Sequence, residues 1–163
     1  MALIGLALAT TLAVTAVASG APPIQPVGPT PGNEGLTASL STNKAGARPV
    51  VLTLKLRAVF QCGQPGMLSV KLPDSESVPA ALAPADVLVN TKHAAKLGRP
   101  SHNRINVTPA HRGGVMCHVM GPGLASVRFT TNAGLGNPSS AGTYSISVRS
   151  GRTTYSTDVR ISG

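Results

Sequence analysis

The stretch Val50-Val51-Leu52-Thr53-Leu54-Lys55-Leu56-Arg57-Ala58-Val59-Phe60-Gln61-Cys62 decides the fold. Val50, Leu52, Leu54, Leu56, Ala58, Phe60 and Cys62 alternate with Val51, Thr53, Lys55, Arg57, Val59 and Gln61. Successive side chains of extended backbone point to opposite faces, so a period of two predicts a strand with one face in the core and one in water. Gln64-Pro65-Gly66 then turns the chain, and Leu68, Val70 and Leu72 alternate with Ser69 and Lys71. The two runs together predict a hairpin with a longer loop.

Working outward, the same alternation recurs at Leu36/Ala38/Leu40, Val87/Val89, Ile105/Val107, Val115/Cys117/Val119, Ala125/Val127/Phe129, Tyr144/Ile146/Val148 and Tyr155/Thr157/Val159/Ile161. Each apolar set is offset by Ser, Thr, Asn, Arg or Lys. Short strands separated by Gly, Pro and Asn turns predict an all-β, antiparallel two-sheet sandwich of about 7–9 strands. A barrel with one solvated face is the alternative. Pro79 to Leu82 and Thr91 to Leu97 leave room for a turn or two of helix.

Composition agrees. The 163 residues suffice for one domain, and only 12% are charged, where about a quarter is usual. Long helices covered in Glu and Lys are excluded, and the surface must be Ser, Thr, Asn, Gly and backbone. Two Tyr and two Phe are the only aromatic residues. A large ring buries roughly 150 to 250 Å², so this core is built from Val, Leu, Ile and Ala.

Nothing is charged before Glu34, and Ala2 to Ala18 is an apolar run closing on Ala16-Val17-Ala18. Residues 1–18 therefore read as a secretory signal peptide, although no Lys or Arg follows Met1. A retained membrane anchor is the alternative; cleavage would leave no stable membrane span. Residues 19–35 carry Pro22, Pro23, Pro26, Pro29 and Pro31 and read as a disordered Pro/Gly-rich linker. The folded domain is then 36–163. Export places Cys62 and Cys117 in an oxidising compartment, both on the inward side of their strands. A disulfide between them closes a loop of about 55 residues and contributes about 4 kcal/mol in the chain-entropy picture. Two unpaired buried thiols are the alternative.

The order of motifs carries a resemblance. Ser41-Thr42-Asn43-Lys44-Ala45-Gly46-Ala47 leads into the long strand, and Leu72-Pro73, Val87-Leu88-Val89-Asn90 and Arg104-Ile105-Asn106-Val107-Thr108-Pro109 follow. Last comes Ala133-Gly134-Leu135-Gly136-Asn137-Pro138-Ser139-Ser140-Ala141-Gly142-Thr143-Tyr144. Over Leu36 to Ile161 this resembles the immunoglobulin-like sandwich repeats of bacterial secreted and cell-surface proteins. In physical terms the last motif is turn chemistry: Pro138 keeps Asn137 out of a helix, and Gly142 is free to adopt a backbone angle other residues avoid. The resemblance implies a structural or adhesive surface module without catalytic residues. Cys62, Cys117 and the segment Ala110 to Gly123 depart from the family's pattern.

Met116, His118 and Met120 offer soft sulfur and imidazole for copper, but a strand would place them on the face opposite Cys117. His93, His102, His111 and His118 match no zinc spacing. No Asp or Glu lies between Val87 and Thr157, and neither a Gly-x-Ser-x-Gly elbow nor paired carboxylates are present, so an enzyme and a cofactor are not expected. That acid-free stretch holds eight of the fourteen Lys and Arg. Lys92, Lys96, Arg99 and Arg112 fall in expected loops, where they could converge on an anionic polymer such as wall polymer, acidic glycan or extracellular DNA. Arg104, Arg128 and Arg149 point outward from different strands. The leading reading is a secreted, non-enzymatic bacterial binding or structural module, whose partner is an anionic cell-wall polymer or another surface protein. Anionic-polymer binding comes second and extracellular copper binding third.

Overall fold

A computed structural model describes residues 35–58, 67–110 and 123–163. Among the described residues the architecture is all-β, with two antiparallel sheets of five strands each. The first sheet contains β1 (Leu36–Leu40), β2 (Leu52–Ala58), β8 (Gly123–Phe129), β4 (Val87–Val89) and β5 (Lys92–His93), in that spatial order. The second runs β10 (Thr153–Ile161), β9 (Gly142–Ser150), β3 (Leu68–Lys71), β7 (Arg104–Thr108) and β6 (Lys96–Leu97). No helix among the described residues is long and apolar enough to cross a membrane.

The period-two pattern sets the register. Leu52, Leu54 and Leu56 on β2 stand opposite Phe129, Val127 and Ala125 on β8, and all six are buried. Val70 on β3 lies between Ile105 on β7 and Val148 on β9, again fully buried. These inward rows of the two sheets form one continuous cluster. Phe129, with no exposed surface, is its bulkiest side chain.

Four expectations are corrected. β2 and β3 do not form a hairpin: β2 pairs with β1 and β8, while β3 pairs with β7 and β9 in the other sheet. Both β3 neighbours are distant in sequence, and alternation within a strand carries no information about which strand lies beside it. Thr91 to Leu97 is not helical. It supplies the two-residue strands β5 and β6, with the Ala94 amide donating to the Val87 carbonyl at 2.8 Å and the Ala95 amide to the Thr108 carbonyl at 2.9 Å. This segment passes from the margin of one sheet to that of the other, with Ala94 buried at the crossing. The short helical turns lie at Pro84–Asp86 and Thr131–Ala133 instead of Pro79 to Leu82. Gly142 adopts no left-handed angle. A side chain there would meet the Tyr144 ring at 3.3 Å, so close approach is what favours glycine.

The opposite margin is tied by the C-terminal strand. The Ala45 amide donates to the Ser162 carbonyl and the Ser162 amide to the Asn43 carbonyl, each at 2.8 Å. β9 and β10 are joined by Gly151-Arg152, with Gly151 at φ +59°, a backbone angle glycine reaches without a Cβ clash.

Candidate functional site

With the inward rows spent on packing, any site must come from the outward rows and the loops. On the first sheet, Thr53, Arg128, Leu88 and His93 form one outward row, with Lys55 beside Ser126 in the next. On the second sheet, Ser69 of the central strand β3 stands between Arg149 on β9 and Asn106 on β7. The next outward row places Lys71 between Ser147 and Arg104.

This second face has an ordered polar centre. Ser69 is 8% exposed, its hydroxyl accepting from Arg104 Nη1 at 3.2 Å. Arg149 donates from Nε to the Gly151 carbonyl at 3.0 Å, which orients its guanidinium. The Lys71 ammonium donates to the His102 carbonyl at 2.7 Å and pairs with Asp74; that pairing holds the Asp74 carboxyl below its ordinary range. Arg104 and Arg149, which lie on different strands, thus share one face, whereas Arg128 is on the other sheet. Alternation identifies all three as outward, but only the pairing of β3 with both β7 and β9 brings two of them together.

The loop residues singled out from sequence are distributed differently. Lys92 stands opposite Val89 at the margin of the first sheet and Lys96 opposite Thr108 at the margin of the second. Arg99 borders an open depression of about 400 Å³ with Ala80, Ala81, Leu82, Leu97 and Gly98. Arg112, Met116, His118, Met120, Cys62 and Cys117 lie outside the described residues. No group of three or more His, Cys, Asp or Glu gathers among the described residues.

Most acidic side chains among the described residues serve the scaffold. Asp86 accepts from the Ala83 amide at 2.8 Å. Glu76 is buried, and burial pushes its carboxyl up to about 8. Asp158 stands opposite Ser145 on an outward row of β10.

The chain matches no protein-family model and no curated protein. Among solved structures it is similar to BslA, a bacterial hydrophobin, at 14% identity and a TM-score of 0.48, the alignment covering 78% of this chain and 96% of that one.

Proposed function

We propose that the chain is a secreted, non-enzymatic bacterial module of immunoglobulin-like build that binds or scaffolds at the cell surface. The observation that carries the reading is the use made of the acidic side chains. Asp74 neutralises Lys71, Asp86 caps a turn and Glu76 is held away from water. The groups that the central strands of the second sheet turn outward are cations, hydroxyls and amides, suited to holding a partner.

Strand order supports the immunoglobulin-like build. A constant-type domain places strands A-B-E-D in one sheet and G-F-C in the other; here β1-β2-β8-β4 and β10-β9-β3 occupy those positions. The Tyr144 hydroxyl donates to the Ser140 carbonyl four residues upstream at 3.0 Å, like the tyrosine corner of such domains. One departure is that β7, alongside β3, comes after β4 in the chain. Export rests on the apolar run of residues 1–18, with 19–35 as tether and 36–163 as the folded unit.

Fractionation of the producing cells tests the reading. The protein is expected in the medium or wall fraction, with an intact mass lacking residues 1–18. Recovery in the cytoplasm at full mass would overturn it.

A further inference from the structure

We infer that the outward face of the second sheet, centred on Ser69 between Arg104 and Arg149, binds an acidic polysaccharide. The inference deepens the surface-module reading and rests on it.

Neighbouring strands lie about 4.8 Å apart and alternate residues along a strand about 7 Å. Arg149 and Asn106 therefore flank Ser69 from either side across roughly 10 Å, while Arg104 and Lys71 fill the adjacent row. Lys96 continues the cations at the margin, beside Thr108. Against these the face carries Asp158, with Asp74 already paired to Lys71. The positive face is thus arranged on rigid strands, and its arginine forks are oriented by Ser69 and the Gly151 carbonyl. Fixed guanidinium groups lose little freedom when they take a carboxylate in two parallel hydrogen bonds.

The alternation of polar and charged groups selects the partner. Ser147, Ser69, Asn106 and Thr154 stand one strand away from a cation or directly beside one. Hydroxyl and amide groups interleaved with arginine match a chain whose repeat carries both carboxylates and hydroxyls. Nucleic acid fits less well: Tyr144 and Tyr155 pack against the core, so neither tyrosine ring among the described residues is offered on this face for bases to stack on. An apolar partner is also disfavoured, since Met67 is the exposed large apolar side chain among the described residues.

The test measures binding of the purified full chain to polygalacturonate across a salt series. It compares R104Q/R149Q with K55Q/R128Q, which removes equal charge from the outward face of the first sheet. R104Q/R149Q is expected to lose about tenfold or more in affinity at low salt, with a salt slope shallower by about two; K55Q/R128Q is expected to bind like the parent. Equal losses in both pairs, no loss in either, or tighter binding to duplex DNA than to the polyuronate would each overturn the proposal. If R104Q loosens the sheet by freeing Ser69, R149Q alone, with an expected loss of about threefold, keeps the comparison. The outcome is independent of cell fractionation, so failure of this site and failure of the surface-module reading are separately visible.

Discussion

Asn103 clasps the backbone at Glu76: its Nδ2 lies 2.8 Å from the Glu76 carbonyl oxygen. The same amide reaches the Pro73 carbonyl at 2.6 Å, so the two N–H groups of one side chain close the 73–76 turn against the turn that precedes β7. Asn103 itself sits at φ +55°, a left-handed angle that Asn tolerates better than most residues. Asn103→Ala loses both donors and strains the backbone, and is expected to cost about 2 kcal/mol or more. Asn103→Gly loses the donors alone and is expected to cost less, by about 1 kcal/mol. Urea denaturation of both variants distinguishes the two contributions; equal and negligible losses would show that the clasp is idle.

Glu76, on the other side of that contact, makes stability depend on pH. Its carboxyl titrates at about 8 in the folded protein, because burial disfavours the charged form, against an ordinary value of 4.5. Below the ordinary value both states are protonated and the group costs nothing. Between 4.5 and 8 the unfolded chain has released the proton and the folded chain keeps it, so stability falls as pH rises and levels off above 8. The loss is on the order of a few kcal/mol. Glu76→Gln is expected to flatten this slope and to exceed the parent in stability at pH 9 while roughly matching it at pH 4. Parallel pH profiles for the two proteins would refute it.

The inward rows were legible because each strand needs only its own residues to declare its period. Leu52, Leu54, Leu56, Val127, Phe129, Ile146 and Val148 are core residues in the alternation and in the fold. Neighbourhood is a different kind of information. Leu68 to Lys71 follows a turn signal, yet it pairs with strands that begin more than thirty residues later, and no feature of Gln64-Pro65-Gly66 encodes that. The candidate face around Ser69 was hidden for the same reason: Arg104 and Arg149 are 45 positions apart and become near neighbours only across β3. The split of residues 92–97 between two sheets leaves no periodic trace at all, since each piece is two residues long.

The Asn137-Pro138 turn does more than bend the chain. Asn137, 5% exposed, donates from Nδ2 to the Thr42 and Lys44 carbonyls at 2.9 Å each, and its own amide donates to Ala47 at 3.0 Å. It therefore pins the 42–47 loop beneath the turn before β9. Asn137→Ala leaves two carbonyls without donors and is expected to cost about 2 to 4 kcal/mol. Asn137→Asp presents oxygens to those carbonyls and is expected to cost at least as much. Denaturation midpoints decide the matter; an Asp variant as stable as the parent would exclude the clamp.

Ala58 stands opposite Gly123 at the end of the β2–β8 pair, so the segment carrying Cys62 leaves the described fold beside the point where the segment carrying Cys117 re-enters it. That adjacency favours a bond between the two sulfurs, since each segment spans only a few residues from its cysteine to the paired strands. The purified protein is expected to be two hydrogens lighter than its reduced form and to resist alkylation while folded. Closing a loop of about 55 residues restricts the unfolded chain, and a C62A/C117A variant is expected to lose about 4 kcal/mol in the chain-entropy picture. Reductant should lower the parent's unfolding midpoint toward that of the variant and leave the variant unchanged, which separates loss of the bond from loss of the side chains. Stoichiometric alkylation of both thiols in the folded, unreduced protein would rule the bond out.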